Sequence, residues 1–193
     1  MVKPVLMLGL DGWSQDIADT LVAQGRMPTF ARLREESAVA TLDHGDARRS
    51  GLAWEHVATG KSPDDAQRWA AVDFDKATHR AENATTRQRP FIADLPVSTV
   101  IFDAPYCDLA SAQNATGLVN WGAHDPGVPQ FSRPAGLSDE LRSRFGPYPA
   151  TRYIYGEVWC DPDETRAMAD ALVEAVEVRS RATEWLLAER LPD

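Results

Sequence analysis

Residues Val5–Leu10 form an unbroken apolar run that stops at Gly9-Leu10-Asp11-Gly12. A short continuous run of this kind reads as a strand buried on both faces, the habit of parallel strands covered by helices. The expected fold class is therefore α/β, a mostly parallel sheet flanked by helices. In such sheets ligands bind in the crevice beyond the strand C-termini. Asp11 falls at that place, so a carboxylate is expected at the mouth of a site.

The chain of 193 residues fits one domain. Ser14 is placed to cap a helix through about Gln24, with Ile17, Leu21 and Val22 on one stripe and Gly25 as its stop. A second helix is expected over Pro28–Glu36, with Phe30 and Leu33 on its packing face, then a short strand over Ala38–Leu42. Ser50 is read as opening a helical turn that closes near Thr59-Gly60. Residues 64–90 turn polar with little periodicity and read as a surface excursion. Phe91–Leu95 suits a short helix, and Val97–Phe102 a second strand. Gly117–Trp121 is a third strand candidate leading into Gly122-Ala123-His124-Asp125-Pro126, and Gly127–Gly136 a loop. Ser138 caps a helix ending at Phe145-Gly146, and Tyr148–Trp159 is partly extended. Asp161-Pro162-Asp163-Glu164 opens the clearest helix, with Met168, Leu172, Val176, Ala182 and Leu186 as its stripe and Arg179 interrupting it.

Charge and cysteine content narrow the function. A formal charge of −9 would repel a phosphate backbone, so no nucleic-acid polymer is expected as partner. No segment approaches the ~20 apolar residues of a membrane span, and Asp11 interrupts the N-terminal run too early for a signal sequence. Cys107 and Cys160 are far apart and read as two reduced thiols. A cytoplasmic protein is the resulting expectation.

Asp11 and Ser50 are the leading chemical candidates. A carboxylate and an alcohol on one divalent metal make a nucleophile suited to phosphoryl-type transfer. Each also has a plain structural reading: Asp11-Gly12 as a turn after a strand, and Ser50 as a helix N-cap. Lys61 and Arg49 are candidates for neutralising a phosphate, against the alternative of surface charge. His124 and Asp125 offer an imidazole and a carboxylate after a candidate strand, although Asp125-Pro126-Gly127 is also a turn signal. The dinucleotide fingerprint, the P-loop and the Gly-x-Ser-x-Gly elbow are not found.

Taken together, Val5–Gly12, Gly25–Leu33 and Ser50–Pro63 resemble the type I phosphodiesterase/nucleotide pyrophosphatase group of the alkaline phosphatase superfamily. The shared pattern is an apolar strand with G-x-D-G, then G-x-x-P-x-x-x-x-L, then Ser50 ten residues before Gly60 of T-G-x-x-P. The resemblance implies an alkaline-phosphatase-like fold, of which residues 1–193 would be the N-terminal portion of one domain. It also implies a two-metal hydrolase, with zinc or else manganese, that splits a small phosphorylated substrate through a covalent enzyme intermediate. Asp11 would bind one metal, and Ser50 would bridge the metals and attack phosphorus.

Departures from the family pattern set the competing expectations. Ala66-Gln67-Arg68-Trp69 stands where family members carry His-Gly-Ile, and the phosphate-holding asparagine would fall near Ala71. The family's remaining Asp and His ligands would follow the last helix. Two ligands cannot hold two catalytic metals, so the chain alone is expected to be inactive unless a second chain or a C-terminal remainder completes the site. A noncatalytic remnant or binding module is the alternative, and a sulfatase or phosphomutase-like member the third reading.

Overall fold

The computed structural model describes residues 4–43, 45, 51–83, 88–122, 129–153 and 161–190. The chain divides into two compact units, residues 1–44 and 45–193. Each is taken by itself.

The first unit is a helical pair. Helix α1 (Gln15–Ala23) is capped by Ser14, whose hydroxyl accepts from the Ile17 N–H, and Gly25 at φ +68° stops it. Helix α2 (Pro28–Glu36) starts on its proline and has no side-chain cap. The two are tied by an Arg34–Asp19 ion pair, and the Phe30 ring lies 4.9 Å from Trp13. The Arg34 guanidinium, with Gln15, holds the Asp19 carboxyl below its ordinary value. Two expected strands do not form. Val5–Leu10 lacks a sheet partner among the described residues, and Val5 and Leu8 are 93% and 76% exposed. Ala38–Leu42 is likewise unpaired, with Leu42 80% exposed. Apolar sequence favours an extended segment, but only a neighbouring strand's N–H and C=O groups make it part of a sheet.

The second unit holds a three-stranded sheet in the order β3-β4-β5. β3 (Thr99–Phe102) is parallel to β4 (Ala115–Val119), and β5 (Phe131–Arg133) runs antiparallel on the other side of β4. The architecture is thus mixed α/β with a small mixed sheet and flanking helices. β5 lies inside the segment expected to be a loop, and three residues are too few for periodicity to reveal. Strands β3 and β4 approach so closely that a Cβ on Gly117 would sit 1.8 Å from the Ile101 carbonyl oxygen, which explains a glycine in a strand centre.

Alternation along β4 sends Leu118 to one face and Ala115 and Val119 to the other. On the first face Leu118 and Trp121 pack with Leu137 and Leu141 of α5 (Leu137–Phe145) and with Val178, Ala182 and Leu186 of α6 (Pro162–Glu189). On the second face Ala115 and Val119 meet Cys107, Leu109 and Ala112. Helix α6 is capped by Asp161, which accepts from the Asp163 and Glu164 N–H groups at 2.7 and 3.2 Å. Its buried stripe is Ala175, Val178, Ala182 and Leu186, whereas Leu172 and Val176 are 44% and 63% exposed. Ala182 and Leu186 of the expected stripe are buried as expected, while Ala175 and Val178 take the inward places that Leu172 and Val176 were expected to hold. Helix α5 begins after Gly136, so Ser138 lies within it and is not its cap.

Residues 64–90, expected to be a polar surface excursion, contain the hairpin β1 (Val72–Asp75) and β2 (Arg80–Asn83), whose first strand is exposed throughout. Its turn is set by Asp75, whose carboxylate accepts from the Ala77 N–H at 2.8 Å and the Thr78 hydroxyl at 2.7 Å. This aspartate-based turn and the Val-Asp-Phe-Asp alternation were the available signals.

Cys107 is 4% exposed, and burial followed by the Asp108 charge pushes its thiol up to about 11. A raised pKa keeps the group neutral as pH rises, and the thiolate is the nucleophile. In a Cys160→Ser chain, a disulfide reagent at neutral pH should therefore leave Cys107 unmodified in the native state and label it fully in denaturant. Rapid native labelling would show that the layer around Leu109 and Ala112 opens readily.

Candidate active site

The T-G-K-S-P element is two helix ends joined back to back. Helix α3 (Ala53–Thr59) closes at Gly60, whose φ of +68° lets its N–H bond the His56 carbonyl at 2.8 Å. The Thr59 hydroxyl donates to the Glu55 carbonyl at 2.8 Å and accepts from the Lys61 N–H at 3.3 Å. Ser62 then caps α4 (Pro63–Ala66), accepting from the Asp65 N–H at 3.2 Å, with Pro63 opening the helix. Each residue type thus has a local reason: left-handed backbone for the glycine, cap for the serine, first-turn position for the proline.

Upstream, α3 starts later than expected. Leu52 occupies its N-cap position, is fully buried, and no side chain caps the helix. Ser50 itself, with Arg49, lies outside the described residues, as do His124 and Asp125. Asp11 belongs to the first unit, in an exposed turn whose Gly12 has φ +62°. Lys61 belongs to the second; it is exposed, and its Nζ donates to Gln88 Oε1 at 3.4 Å.

The best-defined polar cluster lies where α/β sheets bind ligands, at the C-terminal ends of the parallel strands. Asp103 follows β3 in a left-handed conformation (φ +54°). Its Oδ1 accepts from the backbone N–H groups of Trp121 and Gly122 at 2.8 and 3.1 Å, and its Oδ2 is paired with Arg179 Nη2. The Arg179 guanidinium lies 5.0 Å from the Tyr148 ring centroid. A Cβ on Gly122 would come within 2.3 Å of Arg179 Nη2 and 2.9 Å of the Tyr148 ring. After β4, Asn120 (φ +57°) is buried, and its Nδ2 donates to the Pro129 carbonyl at 3.2 Å. Asp103 and Asn120 thus fix both ends of the stretch that carries His124 and Asp125. Asp103 directly follows the expected strand Val97–Phe102, and nothing in the sequence marks it as a functional residue. The signal for its partner was Arg179, a cation interrupting an apolar stripe, because a partly buried guanidinium calls for a carboxylate.

Ala66–Trp69, where the family pattern differs, holds a buried ion pair. Arg68 Nε lies 3.0 Å from Glu55 Oε1, with the side chains 10% and 2% exposed. Among the described residues no three His, Cys, Asp or Glu side chains gather as a metal-binding group, a statement that does not reach Ser50, His124 or Asp125. No described helix is long and apolar enough to cross a membrane. Comparison with family models, curated proteins and solved structures gives no match to this chain.

Proposed function

We propose that the chain carries the first half of a metal-dependent phosphate-ester hydrolase site, with Ser50 as nucleophile and Asp11 as metal ligand. The observation that carries this reading is the ordered motif set, G-x-D-G, G-x-x-P-x-x-x-x-L and a serine ten residues before the glycine of T-G-x-x-P.

The donor chemistry suits the proposed ions. A carboxylate and an alcohol are oxygen ligands that Zn²⁺ and Mn²⁺ both accept. When bound, such ions would supply positive charge to the phosphoryl oxygens. Catalytic zinc generally takes about three protein ligands, so Asp11 and Ser50 need further donors, from this chain or another.

The noncatalytic alternative draws on Arg68. In the place of the family's His-Gly-Ile this chain puts a buried cation committed to Glu55, a residue serving stability and not metal binding. The two readings, and the sulfatase or phosphomutase variant, separate in one assay. The protein in its native assembly, supplied with Zn²⁺ or Mn²⁺, is expected to hydrolyse bis-p-nitrophenyl phosphate faster than p-nitrophenyl sulfate. Preference for the sulfate would move the assignment to the sulfatase branch. Absence of turnover on either ester, with no metal retained after dialysis, would favour the remnant.

A further inference from the structure

We draw no further inference here: the strongest candidate, the Asp103–Arg179 side-chain cluster beyond the C-terminal ends of β3 and β4, belongs to the site already described, and its carboxylate oxygens are taken by Arg179 and by the Trp121 and Gly122 N–H groups.

Discussion

On the proposed function, Ser50→Ala in the native assembly supplied with metal is expected to lower phosphate-ester hydrolysis by roughly 10³-fold or more, the range seen when a covalent nucleophile is removed. The loss should appear in kcat, because the missing oxygen makes its bond to phosphorus only as the ester bond breaks. A melting temperature measured on the same variant separates the two readings of Ser50: a large activity loss with unchanged melting marks a nucleophile, and a matching loss of stability marks a structural serine. A Ser50→Thr chain retaining part of the activity would strengthen the assignment, since the family pattern accepts either hydroxyl. Unchanged turnover in Ser50→Ala would remove Ser50 from the chemistry altogether.

Where local chemistry alone decides a structure, this sequence was readable. Asp161-Pro162 caps and opens α6, Pro28 opens α2 and Gly25 stops α1, because each acts within one turn of helix. Val97–Phe102 was recognised as a strand, and its last four residues pair with β4. Some misses were local, such as the hairpin of β1 and β2 and the place of Ser138 inside α5, and the larger ones involve partners distant in sequence. Val5–Leu10 has strand composition but no neighbour to complete its hydrogen bonds. In the α6 packing stripe Ala182 and Leu186 were legible, but Ala175 and Val178 are buried in place of Leu172 and Val176, a choice set by the packing partners and not by apolar character. Arg179 looked like an interruption of that stripe until Asp103, 76 residues away, supplied its counter-charge. For the candidate site, the motif spacing was legible, and the geometry around T-G-K-S-P gives each of its residues a cap or turn role. Motif residues fix a local backbone shape. They do not by themselves assemble Asp11, Ser50, His124 and Asp125 around a substrate.

Glu55→Ala should be the most damaging substitution for the fold of the second unit. The Glu55 carboxylate and the Arg68 guanidinium face each other at 3.0 Å with almost no solvent access. Removing one member of a buried pair strips the other of its facing counter-charge, a change that typically costs about 3–5 kcal/mol. Domains of this size have roughly 5–15 kcal/mol of total stability, so the loss could consume most of it. The position amplifies the effect. Glu55 lies on α3 and Arg68 just beyond α4, so the pair clamps the two helices that Thr59–Pro63 joins. Chemical denaturation of Glu55→Ala and of the double variant Glu55→Leu/Arg68→Met distinguishes the cause. If the lost counter-charge is what costs stability, the double variant recovers most of it, because apolar replacement of both partners is often neutral or better. If the double variant is as unstable as the single one, the pair contributes through the packing of its side chains and not through its charges. The residues replacing the family's His-Gly-Ile would then be a dedicated clamp on the T-G-K-S-P turn.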